Sequence, residues 1–363
     1  MKILLIGEYS NVHATLAMGL RELGHQVTVI SNGDFWKNYP RDIDVSRQDG
    51  RWGGIKLMAR LWSLLPQMRG YDVVQLINPL FFELKAERLF FFYHYLRKHN
   101  KRVVLGAFGM DYYWVSTCCN EKPLKYSDFN MGSSLRTNAD ALRERQDWLG
   151  TVKERLNKEI AESCDGIVTG LYEYHICYEP LFSHKTRYIP YPIKMPETST
   201  IPALHQPVKV FIGISKNRSE YKGTDIMLKA AMDVAAQYPD RMVLEKAEGV
   251  PFEEYQRMLD DCDVMLDQLY GYTPAMNALL AMSKGIVVVG GGEPENYEIL
   301  NETELRPIIN VEPNYDSVRT ALEQIVLQPE RLAALKEQSR EYVARHHDYL
   351  SVARRYEQFY KQI

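Results

Sequence analysis

Between Val208 and Leu300 the chain twice passes from a short apolar run, through a loop, into a helical pattern. The first run, Val208-Lys209-Val210-Phe211-Ile212-Gly213-Ile214, is β-branched, aromatic and bounded by glycine, as buried parallel strands are. Its polar loop, Ser215 to Asp225, carries Lys216, Arg218, Lys222 and Gly223. A helical period then starts (Ile226, Leu228, Ala231, Met232, Ala235), with Thr224 or Asp225 as the N-cap. The second run is Asp263 to Leu266, with Gln268 to Tyr272 as its loop. Thr273-Pro274 gives an N-cap followed by proline at the first helical position, and the helix Ala275 to Ser283 closes at Lys284-Gly285. The strand Ile286 to Val289 and Gly290-Gly291-Gly292-Glu293-Pro294-Glu295 follow. Unpaired N–H groups and the helix dipole at such junctions, with cations beside them, favour an anion.

The first half has the same alternation. Lys2 to Ile6 is a buried strand, Gly7 to His13 its loop, Ala14 to Leu23 a helix closed by Gly24, and Gln26 to Ile30 a second strand. Dinucleotide binding would need glycines at G-x-G-x-x-G spacing, and only Gly7 is present, which excludes a nicotinamide cofactor on this loop. A chain of 363 residues suggests two domains. The boundary falls in the proline-rich stretch Lys194 to Pro207, giving domains 1–195 and 196–345 and a last helix, 346–363. The formal charge of −3 argues against a nucleic-acid partner. Five scattered cysteines fit neither a disulfide framework nor zinc spacing, which points to a reducing, cytoplasmic compartment. The first residues read as a strand and not a signal peptide, and no apolar run has the length of a spanning helix.

Other stretches carry two readings each. Arg51 to Arg69 is an amphipathic helix, suited to a core-facing role or to an anionic membrane surface. Asp72 to Ile77 and Arg102 to Leu105 are strands, with Leu84 to Lys98 a helix between them. Asp111, just past a strand's carboxyl end, is a base, a substrate hydrogen-bond acceptor or a turn cap. His13 is an acceptor or sugar contact, or a packed histidine at a helix start. Cys118 to Arg136 is polar and irregular, a lid or acceptor loop, and Leu142 to Ala161 is a long charged helix. Glu302 to Val311 continues the second sheet, Asp316 to Leu327 and Pro329 to His346 are helices, and His347 to Leu350 breaks them before a last helix, Ser351 to Ile363.

These features together resemble the GT-B glycosyltransferases, and among them the retaining family-four enzymes. The resemblance rests on Arg218 with Lys222-Gly223-Thr224-Asp225, on Asp263 to Gln268, on Ala278 to Val288 and on Gly291 to Glu295. Gly7 to Ser10 and His346 to Tyr349 also fit. It implies an α/β fold of two Rossmann-like domains facing across a cleft, with the C-terminal helix packing back on the first domain. The implied reaction transfers a hexosyl group from a nucleoside-diphosphate sugar to a glycan or lipid-linked acceptor, with retention, in surface polysaccharide or glycoconjugate synthesis. The implied donor contacts are Arg218, Lys222, Gly223 and Thr273, with Gly7 and His13 on the acceptor side; the nucleotide sugar is a substrate, and no cofactor is expected. Arg218 and Lys222 would stand in for a metal on the diphosphate, where leaving-group charge grows, and no Asp-x-Asp metal signature follows a strand.

One departure stands out. Of the family's two glutamates, eight positions apart, the second, which binds the donor ribose, aligns with Leu280 and the first falls near Tyr272. Leucine cannot accept a hydrogen bond from a ribose hydroxyl. Gln268, Asn277, Glu295 and Glu298 are alternatives, Glu295 the preferred one, paired with Asp111 as the catalytic carboxylates. A nucleotide-sugar epimerase on the same fold and a non-catalytic binding subunit remain as rival readings.

Overall fold

A computed structural model describes every residue except Ser199, Lys216 and Asn217; the last two belong to the Ser215–Asp225 loop and lie outside the described residues. The strands, in chain order, are β1 (Lys2–Ile6), β2 (Gln26–Ser31), β3 (Ile43–Asp44), β4 (Val73–Leu76), β5 (Val103–Ala107), β6 (Asn130–Met131), β7 (Ser134–Leu135), β8 (Gly166–Thr169), β9 (Thr186–Tyr188), β10 (Val208–Ile214), β11 (Met242–Glu248), β12 (Val264–Leu266) and β13 (Val287–Val289). The chain divides into two compact units. One comprises Met1–Glu121, Glu144–Pro192 and Tyr349–Ile363; the other comprises Lys122–Arg143 and Ile193–Asp348.

The first unit is built on a parallel sheet of order β3-β2-β1-β4-β5-β8-β9. β4 and β5 are wholly buried, and β1 is buried from Ile3 to Ile6, as central strands of a parallel sheet are. Chain order reverses between β1 and β4, so the crevice outside their carboxyl ends is the ligand position of this topology. The C-terminal helix Tyr349–Gln362 lies on the helix Val12–Glu22, as the sequence suggests. Gly19 permits the approach, since a Cβ there would come within 2.7 Å of Ala353, and Tyr349 donates to Glu22 at 2.6 Å.

The second unit has a parallel sheet of order β11-β10-β12-β13 over a core that includes Val210, Ile212, Met227, Val264 and Leu322. Its order reverses between β10 and β12. At the opposite, amino edge, buried Asp263 precedes β12 and accepts from Lys336 Nζ at 2.9 Å and from the backbone of Lys209 at 3.1 Å, stapling a helix to the strand starts.

Several expectations differ from what forms. The charged helix read over Leu142 to Ala161 is two helices, Ala139–Trp148 and Val152–Ser163, parted at Gly150 with φ +70° and restarted by the Thr151 cap. Cys118 to Arg136 is not irregular throughout: the helix Tyr112–Asn120 occupies its start, and β6 and β7 pair as a small antiparallel hairpin. Glu302 to Val311 adds to the second sheet only a single bridge, Ile309 to Val289.

Candidate functional site

The two junctions singled out in the sequence flank the reversal point of the second sheet. After β10 the chain forms a short helix, Ser219–Lys222, before the longer helix Thr224–Gln237. The N-cap of the longer helix is Gly223 and not Thr224 or Asp225. Gly223 takes φ +73°, and a Cβ would lie 2.8 Å from Leu269 Cβ and 2.9 Å from the Tyr270 ring. Glycine is therefore required both for the left-handed backbone and for the contact with the loop after β12. Leu269 N donates to Lys222 O at 3.0 Å, locking the two loops together.

Arg218 caps the short helix with its guanidinium 4.8 Å from the Tyr221 ring centre. Its Nε is buried with no hydrogen-bond partner among the described residues. Lys222 closes the same helix beside Asp267, which follows β12. Burial pushes the Asp267 carboxyl up to about 6, the Lys222 charge partly opposing it, and Asp267 Oδ2 has no hydrogen-bond partner among the described residues.

At the second junction the helix is Met276–Ser283, and its N-cap is Ala275 with extended backbone, φ −83° and ψ 179°. Thr273 is thus not the N-cap and Pro274 not the first helical residue: the extended backbone at Ala275 delays the helix start. Thr273 is buried against the glycine turn, its carbonyl 3.2 Å from where a Gly291 Cβ would stand. Glu295 lies in the first turn of the short helix Pro294–Glu298, its Oε2 buried without a hydrogen-bond partner among the described residues.

Glu293, one residue before that helix, was passed over in the sequence. It is buried; Oε1 accepts from Tyr126 Oη at 2.7 Å and from Asn310 Nδ2 at 2.8 Å, and Oε2 stands 3.4 Å from Lys125 Nζ. Burial works to raise its pKa, but the bonds from Asn310 and Tyr126 and the Lys125 charge hold it below the usual carboxylate range. Lys125 N also donates to Tyr272 Oη at 2.7 Å, and the Tyr126 and Tyr272 rings lie 4.9 Å apart. Arg136, from the same segment, sits 3.5 Å over the Tyr270 ring and donates to Glu220 O at 2.6 Å and Tyr221 O at 3.0 Å. Tyr272 is thus covered by Lys122–Arg143. The only sequence sign of this was the length of that stretch.

In the first unit, Gly7 directly follows β1, Asp111 lies beyond the carboxyl end of β5, and His13, in the helix Val12–Glu22, is bonded to Gly7. Gly7 has φ +84°, and a Cβ there would meet Ile77 Cγ2 at 2.2 Å. His13 Nδ1 donates to Gly7 O at 2.9 Å, and His13 Nε2 accepts from Gln75 Nε2 at 3.1 Å. Tyr360 donates to Gln75 Oε1 at 2.7 Å, completing a chain that fixes the imidazole tautomer. Burial pushes the His13 pKa down to about 3, so the ring is neutral. Asp111 is the N-cap of Tyr112–Asn120, Oδ1 accepting from Trp114 N at 2.9 Å and Oδ2 from Tyr178 Oη at 2.7 Å; burial raises its pKa to about 6. Both residues are fully buried with these bonds made, as the packed-histidine and capping readings require. Glu8, also unforeseen, accepts from His13 N at 3.2 Å and Ala14 N at 2.8 Å at the start of the helix, and burial lifts its pKa to about 8.

No family model and no curated protein matches the sequence. Solved structures do. Sucrose-phosphate synthase from Thermosynechococcus elongatus superposes with a TM-score of 0.65 at 14% identity, over 100% of this chain and 99% of that one. Anabaena HepE in complex with UDP and glucose gives 0.62 at 12% identity over 100% of both chains. UDP-GlcNAc 2-epimerase from Neisseria meningitidis, bound to UDP-GlcNAc, gives 0.54 at 11% over 100% of both. At these identities the likeness is one of fold. The chain has the GT-B fold, two Rossmann-like α/β domains, an architecture shared by glycosyltransferases and an epimerase.

Proposed function

We propose that this protein is a glycosyltransferase that moves a hexosyl group, with retention, from a nucleoside-diphosphate sugar to a glycan or lipid-linked acceptor in cytoplasmic glycoconjugate synthesis. The observation that carries the reading is the reversal point of the second sheet, where Arg218 and Lys222 stand at a strand-to-helix junction locked by Leu269 N to Lys222 O, 3.0 Å. Diphosphate oxygens would satisfy Arg218 Nε, and Lys222 would supply the positive charge that other donor sites take from a metal. As the bond from the anomeric carbon to the diphosphate breaks, the electron pair and its charge pass to the leaving phosphate. Cations already fixed in place stabilise that charge without reorganisation. Glu295 Oε2 would take the hydroxyl contact that Leu280 cannot make. The UDP-bound structure of HepE supports a nucleotide-sugar donor of this class.

The departures at Tyr272 and Leu280, and the fold shared with UDP-GlcNAc 2-epimerase, favour epimerisation as the second reading. A thermal-shift screen of nucleotides and nucleotide sugars tests the donor site, because a ligand bound only by the folded state raises the melting temperature. Product analysis with and without acceptors then separates transfer from epimerisation. A protein that binds no nucleotide diphosphate, or binds one equally well as Arg218→Ala and Lys222→Ala, would rule the donor site out.

A further inference from the structure

The helix Gly53–Leu64 buries Leu57, Leu61 and Leu64 against the first unit, so its core-facing role is met by one stripe. A second apolar stripe remains on the outside. Trp52, Ile55 and Trp62 are 60%, 58% and 50% exposed, and with exposed Ala59 they recur at intervals of three, four and three residues, which is one helical face. Phe91, from the helix Ala86–His99, is 42% exposed and stacks on Trp62 at 4.6 Å, widening the patch. The exposed side chains Arg51, Lys56 and Arg60 interleave with it, and Arg51 to Arg69 contains no acidic residue, in a chain whose net charge is −3.

We propose that this face docks on an anionic lipid bilayer surface, the helix lying parallel to it with Trp52, Ile55 and Trp62 inserted at headgroup depth. Indole side chains favour that interface, and lysine and arginine beside them are drawn to anionic headgroups. Charge complementarity selects this occupant. A two-fold contact with a second copy through the same stripe would set Lys56 and Arg60 against like charges. Among the described residues no helix is long and apolar enough to cross a membrane, so the contact proposed is with the surface. The inference is independent of the donor site.

The test is co-sedimentation of the full chain with vesicles of phosphatidylcholine alone and of phosphatidylcholine with phosphatidylglycerol. Binding is expected only with the anionic lipid and should weaken as salt rises. Lys56→Gln and Arg60→Gln should each lower partitioning about fivefold. The triple variant Trp52→Ser/Ile55→Ser/Trp62→Ser should abolish it while keeping the far-ultraviolet circular dichroism and melting temperature. Met232→Ser, which removes an exposed apolar side chain of the second unit, should bind as the parent does. Absence of binding, equal binding to neutral vesicles, binding retained by the triple variant, or a dimer that the triple variant disperses would each overturn the proposal.

Discussion

Tyr126 donates its hydroxyl to Glu293 Oε1 at 2.7 Å, a bond that spans 167 positions in sequence and ties Lys122–Arg143 to the glycine turn after β13. With Asn310 and Lys125 it keeps Glu293 ionised in a buried position. Tyr126→Phe should destabilise the second unit by about 1.5–3 kcal/mol at pH 7, the range for a hydrogen bond to a charged group. A carboxylate whose pKa is lowered on folding adds stability above its unfolded pKa of 4.5 and loses it as pH falls through the lower folded value. The cost of Tyr126→Phe should therefore shrink on acidification. Urea denaturation of parent and variant at pH 7 and pH 4 measures it, and an equal cost at both would show that the bond does not favour the ionised form.

Arg136 fastens the same segment from its other side. Its planar guanidinium both faces the Tyr270 ring at 3.5 Å and donates to the carbonyls of Glu220 and Tyr221, a combination that an ammonium group cannot reproduce. Arg136→Lys should raise the rate of limited proteolysis within Lys122–Arg143 by about tenfold, as expected for about 1.4 kcal/mol of lost local stability. Peptide mapping by mass spectrometry locates the cuts. Unchanged protection would mean that the segment is held without this side chain.

Strands such as β1, β5, β10 and β13 were legible from their mainly apolar composition, whereas β3 and β11 carry polar residues and were not, and the first junction was legible because strand, cations, glycine and helix period follow one another from Val208 to Ala235. The Gly150 break and the late helix start at Ala275 were missed because both depend on single backbone angles, φ +70° and ψ 179°. Glu293 and Glu8 were passed over for another reason. Their burial depends on partners such as Tyr126 and Asn310, which no local pattern connects to them. In Arg51 to Arg69 the core-facing stripe, Leu57, Leu61 and Leu64, is buried, and a second apolar stripe with Trp52, Ile55 and Trp62 is exposed.

Asp267 opposes the role proposed for Lys222. With its pKa raised to about 6 by burial, it is ionised at pH 8 and largely protonated at pH 5. The diphosphate of a nucleotide sugar does not titrate over that range, so its binding should tighten as pH falls through about 6. Asp267→Asn should bind the same ligand about three- to tenfold more tightly at pH 8, consistent with removal of a nearby like charge in a partly screened site, and should lose that pH dependence. Isothermal titration at the two pH values decides. Weaker binding by Asp267→Asn would show instead that the carboxylate positions the lysine.

Glu8 and His13 should shape the pH dependence of stability with opposite signs. Glu8 has its pKa raised by burial from 4.5 to about 8, so the folded state holds the extra proton between those values. Its contribution is complete below pH 4.5 and is lost as pH rises through about 8. His13 has its pKa lowered by burial from 6.5 to about 3, so the unfolded state holds the extra proton. Its contribution is complete above pH 6.5 and is lost as pH falls toward about 3. Each group imposes a slope of at most about 1.4 kcal/mol per pH unit within its own window. Glu8→Gln should remove the decline between pH 4.5 and 8 while still accepting a bond from the helix start. His13→Asn should flatten the acid limb between pH 6.5 and 3, at the cost of the bond to Gln75. Chemical denaturation of the three proteins at pH 4, 6 and 8 resolves the two limbs. A Glu8→Gln protein whose stability falls as steeply as the parent's from pH 6 to 8 would show that Glu8 is ionised when folded, its charge held by the N–H groups of His13 and Ala14.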